Sequence, residues 1–312
     1  MGASSGNGPI STGPATAVSS DGRIFVQIPE YRDRELDSTL EDLFAKAARP
    51  QRLRVAVLSQ RTADDPAVRV PATRTGAVEV LRVPAGESRG PNWARRCLQD
   101  RYAGEEYTLI IDSHLRFVPG WDALAVAMLD GLRGAHDAPV LTAYLPAYRP
   151  AGGVGLGRSP YKIYPLGRQE GVLTRLTSFP LVGAERLVAP IVAEYLSLHF
   201  AMATGALLEE VPHDPEIYFF GDEVAYGARA FTHGWDLFHP HRVLGWHAYD
   251  RTTRTPHWDD HPGWREQHQE TLDRLRRLFT GDPSMTPWCG WARTMADYEQ
   301  HIMTSLVNPW PR

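Results

Sequence analysis

Asp112, Ser113 and His114 stand directly behind the apolar run YTLII at residues 107–111. Alternate side chains of an extended segment point the same way, so Asp112 and His114 can meet on one cation. A carboxylate oxygen and an imidazole nitrogen suit a borderline divalent ion such as Mn²⁺, with Mg²⁺ as the harder alternative. Alone, the triplet is as readily an aspartate capping a strand-end loop beside a solvated histidine. His247 shifts that balance. It follows another apolar run, RVLGW at 242–246, and would add a third protein ligand while leaving positions for diphosphate oxygens. Arg251 and Arg254 come just beyond it, and a guanidinium fork binds phosphate through parallel donors. Taken singly, either arginine is as readily a solvated loop cation.

Two other segments carry polar chemistry. In GESRGPNWAR (86–95), glycines and a proline lead into a helix whose first N–H groups favour anions. Arg89 and Arg95 there could face a nucleotide. In FFGDE (219–223), Asp222 and Glu223 precede a helical pattern, where capping and the helix dipole already explain one acid. Two acids behind Gly221 and two aromatic rings also suit a sugar, whose hydroxyls donate to carboxylates. Either acid could instead act as a general base or as a nucleophile.

These residues need a scaffold that presents strand ends. The run at 24–28 reads as a strand ending at Pro29, followed by a helix through Leu36, Leu40, Leu43, Phe44 and Ala47, with Asp33 as its possible cap. Strands are expected at 53–58, 78–83, 107–111 and 140–144, with helices from Pro91 to about Arg101 and at 121–132. Trp93, Cys97 and Leu98 would turn inward from the first of these helices. Such alternation predicts an α/β fold with a mainly parallel, Rossmann-like sheet flanked by helices. In open sheets of this kind, ligands bind beyond the carboxyl ends of the strands, where the Asp112 triplet stands. Residues 149–186 read as long loops and short hairpins. An apolar segment (199–208), a helix (223–233), a strand (243–246) and a helix (267–279) follow. Trp288, Trp291, Tyr298 and Trp310 in the last stretch suit packing against the body. The expected organisation is a tail at 1–22 and one unit at 23–312, with a nucleotide-binding half (23–148) and a sugar and acceptor half (149–312).

Composition narrows the function class. Of 312 residues, 43% are hydrophobic, and the net charge of −4 gives no basic footprint for nucleic acid. Lys46 and Lys162 are the only lysines among 33 basic residues, a bias that arginine-rich coding explains before phosphate recognition does. Cys97 and Cys289 form no metal-ligand pair, which fits a reducing, cytoplasmic setting. The Gly/Ser-rich start lacks the charged and apolar blocks of a signal peptide, and no apolar stretch is long enough to span a membrane.

Taken in order, IFVQIPEYRDRELDSTLEDLF, ESRGPNWAR, EEYTLIIDSHLRFVPGWD, YFFGDEVAYGARAFTHGWDLF, HAYDR and RTMADYE resemble the cytoplasmic hydroxyproline-linked polypeptide N-acetylglucosaminyltransferases. A fainter likeness is to the polypeptide N-acetylgalactosaminyltransferases, which also use Asp-x-His with a later histidine. The resemblance implies a GT-A fold, a UDP-sugar donor such as UDP-GlcNAc, Mn²⁺ and retention of anomeric configuration. It makes Asp112, His114 and His247 metal ligands and puts Arg89, Arg95 and Ser113 on the nucleotide side. Gln27, Pro29, Tyr31 and Arg32 would line the uridine pocket, and Asp222 and Glu223 would face the sugar. The segment from Ala201 through Thr204 and Gly205 departs from a more glycine-rich family pattern near the donor sugar, whose pocket His199 and Thr204 would reshape. The expected activity is metal-dependent transfer of a sugar to a hydroxyl acceptor. A metal-dependent nucleotide-sugar hydrolase and a non-catalytic nucleotide-sugar-binding module are the rival readings.

Overall fold

The computed structural model describes residues 22–152 and 157–308; the expected tail up to residue 21 and Trp310 fall outside them. In chain order the elements are β1 (Ile24–Tyr31), α1 (Leu36–Lys46), β2 (Leu53–Arg61), β3 (Val78–Pro84), α2 (Pro91–Gln99), β4 (Tyr107–Ile111), β5 (Leu115–Phe117) and α3 (Trp121–Leu132). Next come β6 (Pro139–Thr142), β7 (Tyr161–Gln169), β8 (Leu173–Pro180), β9 (Ile191–Val192), β10 (Phe200–Thr204) and α4 (Ala206–Glu210). The chain continues through α5 (Asp222–Thr232), β11 (Asp236–His239), β12 (Gly245–His247), α6 (His257–Asp260), α7 (Trp264–Phe279) and α8 (Met295–His301).

Eight strands form one sheet in the order β3-β2-β1-β4-β10-β6-β11-β9. From β1 the chain winds outward through β2 and β3, then returns to place β4 on the other side of β1. That reversal opens a crevice at the carboxyl ends of β1 and β4. The sheet is mainly parallel, but β10 runs antiparallel to both β4 and β6. The two halves of the chain therefore share one sheet.

Side-chain alternation along β1 feeds two cores. Ile24, Val26 and Ile28 pack with Leu40 and Leu43 of α1 and Trp121 of α3. Phe25 joins Ala94 and Leu98 of α2 on the opposite face. Trp93 and Cys97 are only partly buried, and Arg95 turns inward with them. Burying an arginine from an amphipathic helix requires a partner for its charge, and one exists in the site described below.

Several elements differ from the sequence reading. β1 runs through Pro29, because β4 pairs only as far as Gln27 and the proline's missing N–H breaks no bond on that side. Residues 149–186 contain one long hairpin, β7–β8, rather than short ones. The strand expected at 243–246 is displaced to Gly245–His247 and lies outside the main sheet, paired to β5. In the last stretch Tyr298 is fully buried, but Trp291 is exposed. Among the described residues, no helix is long and apolar enough to cross a membrane.

Candidate functional site

The crevice between β1 and β4 receives the ends of both strands, so Asp33 and the Asp112–His114 triplet arrive together. β12 then lies antiparallel against β5, with His247 opposite Leu115. Gly245 permits that approach, because a Cβ there would stand 2.4 Å from the Arg116 carbonyl oxygen. The pairing carries His247 to the triplet. Its Nε2 lies 3.0 Å from Asp112 Oδ2, while Nε2 of His114 and of His199 stand 3.8 and 3.9 Å from the same oxygen.

Two of those separations are too long for hydrogen bonds. Ligand atoms of Asp112, His114 and His247 all lie within 4.8 Å of one another, so polar atoms converge without bonding fully among themselves. A divalent cation would satisfy them, and the donor set suits Mn²⁺ or another borderline ion. Burial pushes Asp112 up, but the His247 hydrogen bond and the surrounding imidazoles outweigh it and hold the carboxyl well below its usual range. Burial, aided by the neighbouring histidines, holds His247 well below its usual value. An ionised carboxylate and a neutral imidazole are the forms that ligate metals.

A second carboxylate braces this group. Asp33 Oδ2 is 2.6 Å from His114 Nδ1 and accepts from Ser113 Oγ at 2.6 Å. The sequence reading made Asp33 a helix cap, but the cap position of α1 is Glu35.

Asp222 and Glu223 open α5 behind Gly221, whose φ of +89° favours glycine and whose added Cβ would meet Leu275 at 2.5 Å. Asp222 accepts from Arg95 Nη1 at 2.8 Å, and Arg95 Nη2 reaches Asp112 at 3.7 Å. Glu223 accepts from the Leu198 N–H at 2.8 Å and from Ser197 Oγ at 2.9 Å. Burial pushes both carboxyls up. His199 stacks on His247 at 4.1 Å and packs against Tyr144 at 4.4 Å.

These groups line a cavity of about 780 Å³, within the usual range for small-molecule sites. Pro29, Tyr31, Ser113, Arg251 and Arg254 line it as well. Arg251 lies over the Trp258 ring at 4.9 Å, and Arg254 donates to the Ala248 carbonyl oxygen at 3.1 Å.

Other expected site residues stand elsewhere. Gln27 is fully buried inside the sheet, donating to Thr108 Oγ1 at 3.0 Å. Arg32 is committed to Asp65 and Asp260, each at 2.9 Å. Arg89 is exposed, and neither it nor Arg32 lines the cavity. Thr204 pairs with Tyr107 at the start of β4, because β10 runs antiparallel, so Thr204 and Gly205 lie at the far end from Asp112. Ser113 borders the cavity but gives its hydroxyl proton to Asp33.

The structure adds groups that sequence reasoning passed over. Ser88, rather than Arg89, faces in from the glycine-rich turn and is joined to Gln60 and to His257. Tyr144, Tyr249 and the turn end of the β7–β8 hairpin also line the cavity. A small hydroxyl in a turn and aromatic residues in irregular segments carry no local signal of a site.

The family model described as glycosyltransferase (GlcNAc) matches residues 23–77 and 67–305. No curated protein matches the sequence. The structure of S. aureus TarS 1–349 is similar, with a TM-score of 0.55 at 14% identity, over 90% of this chain and 69% of that one. GalNAc-T7 with UDP, GalNAc and Mn²⁺ gives a TM-score of 0.55 at 12% identity, over 91% of this chain and 55% of that one. TarS 1–349 in complex with UDP-GlcNAc gives 0.51 at 15% identity, over 90% and 70%. At such identities the likeness is one of fold, the GT-A architecture.

Proposed function

Because the chain belongs to the glycosyltransferase (GlcNAc) family, we propose that it transfers N-acetylglucosamine from UDP-GlcNAc to an acceptor hydroxyl, retaining anomeric configuration. The convergence of Asp112, His114 and His247 beside one large cavity carries this reading. UDP-GlcNAc in one fold relative, and UDP with GalNAc and Mn²⁺ in another, support the donor class. The motif likeness supports a cytoplasmic setting, and the acceptor is a hydroxyl of a peptide, a protein or a small molecule. Residues 23–148 would supply the nucleotide side and 149–312 the sugar and acceptor side.

Asp112, His114 and His247 would hold Mn²⁺, which when bound supplies Lewis-acid stabilisation of the diphosphate leaving group. Arg251 and Arg254 add fixed positive charge where negative charge develops. Pro29 and Tyr31 border the uridine end. Asp222 and Glu223, anchored by Arg95 and by Ser197 and Leu198, hold sugar hydroxyls. The acceptor proton then passes to the departing phosphate on the same face of the sugar. A second reading rests on Glu223, whose upward-shifted carboxyl suits the general base of an inverting transferase.

The test is thermal stabilisation by a panel of UDP-sugars with and without Mn²⁺, followed by NMR of the transfer product. Selective, chelator-sensitive stabilisation by UDP-GlcNAc and an α-linked product are expected. A β-linked product would replace retention with the Glu223 reading. Donor hydrolysis indifferent to acceptor would make the protein a hydrolase, and binding without turnover a binding module.

A further inference from the structure

Asp33 is 1% exposed and accepts on both oxygens. Oδ1 takes the Glu35 N–H at 2.9 Å, while Oδ2 takes the Ser113 hydroxyl and faces His114 Nδ1 at 2.6 Å. Its backbone is fixed too: its N–H donates to Glu30 Oε1 at 2.7 Å, and its carbonyl oxygen accepts from Arg61 Nη2 at 2.9 Å. The carboxylate therefore cannot swing away from the imidazole. An ionised carboxylate only accepts, so the facing Nδ1 must carry the proton, and in the neutral ring Nε2 then keeps its lone pair. That Nε2 is the atom turned toward Asp112.

We propose that Asp33 is a positioning residue for the metal, fixing His114 in the tautomer and orientation that present Nε2 to a divalent cation. The inference rests on the metal reading of the site given above. Carboxylates that brace a ligating histidine commonly set metal affinity by about 10–100-fold. An amide in place of the carboxylate cannot serve both sides. With its oxygen toward Glu35, its NH₂ group faces His114 and drives the ring proton onto Nε2. With its oxygen toward His114, its NH₂ group opposes the Glu35 N–H.

The experiment uses the full chain and Mn²⁺ alone. In the metal-free wild type, ¹⁵N imidazole shifts should place the His114 proton on Nδ1. Titration followed by the electron paramagnetic resonance of free Mn²⁺ should show the dissociation constant of Asp33→Asn raised about 10–100-fold, with the folded-state circular dichroism unchanged. A wild-type proton on Nε2, or a folded Asp33→Asn variant with wild-type Mn²⁺ affinity, overturns the proposal. If the variant does not fold, the wild-type tautomer decides alone. A wild type that binds no Mn²⁺ overturns the metal reading and this inference with it, an outcome distinct from an unaffected variant.

Discussion

Arg95 joins Asp222 at 2.8 Å and reaches Asp112 at 3.7 Å, so one buried guanidinium spans the start of α5 and the triplet behind β4. A carboxylate left without that cation keeps its desolvation penalty. Arg95→Gln should cost about 3–5 kcal/mol of stability, as removing one member of a buried ion pair does. In an Asp222→Asn background the same substitution should cost less, which urea unfolding of the four proteins would measure. An unchanged midpoint in Arg95→Gln, with weakened UDP binding, would instead give Arg95 to the nucleotide.

Arg251 and Arg254 distinguish phosphate from nucleoside. Replacing Arg251 with Ala should weaken UDP by about 1.5–3 kcal/mol, the worth of a hydrogen bond to a charged group, and leave uridine almost unaffected. Calorimetric titration of both ligands reads the difference. Arg251 covers one face of the Trp258 ring, so equal losses would signal a collapsed loop and remove its phosphate role. Arg254→Ala should follow the same pattern with an added stability loss, since Arg254 also ties down the Ala248 carbonyl oxygen.

Gly205 separates packing from recognition. A Cβ there would lie 2.3 Å from the Glu105 carbonyl oxygen and 2.1 Å from the Tyr102 hydroxyl. Gly205→Ala should therefore lose about 1–3 kcal/mol through overpacking. UDP affinity in the presence of Mn²⁺ should stay at the wild-type value, because β10 spans the sheet between Gly205 and the metal ligands. Reduced affinity in a folded variant would put Gly205 back in the donor pocket.

His239 gives the fold an acid limit. Its Nδ1 donates to the Thr142 carbonyl oxygen at 3.0 Å and its Nε2 accepts from the Ile163 N–H at 3.3 Å, which fixes a neutral ring. Burial pushes its pKa down to about 4 from 6.5. Below 6.5 the unfolded chain takes a proton that the folded ring refuses, so stability falls as pH drops from 6.5 and levels out below 4. For this histidine the loss is about 3 kcal/mol. His257, also pushed down to about 4 by burial, steepens the fall. Urea midpoints at several pH values should decline over that window, less steeply by one proton in His239→Gln. Identical slopes for the two proteins would refute the assignment.

Much of the scaffold is legible in the sequence because burial on both faces leaves a plain mark. IFVQI, LRVAVL and YTLII are apolar runs, and each lies in a strand of the sheet. The direction of a strand leaves no such mark. β10 has the same apolar pattern either way up; the family pattern suggested Thr204 and Gly205 near the donor sugar, whereas the antiparallel pairing carries them to the end of the sheet far from Asp112. Asp112 and His114 stand out because they follow a central strand. Asp33 does not, since an acid shortly before a helix reads as a cap whatever its side chain touches. Arg89 drew attention by its charge, but the turn faces it outward and Ser88 inward.

The pairing of β12 with β5 also sets an order of events during synthesis. Asp112 and His247 are 135 residues apart in the chain. At about 5–20 residues per second, a ribosome would need roughly 7–27 s after making the triplet to make its partner. Through that interval the nascent chain holds an incomplete set of ligands. Three-ligand metal capture therefore cannot precede the synthesis of residue 247, and a product released before it would carry no three-ligand site to trap an ion.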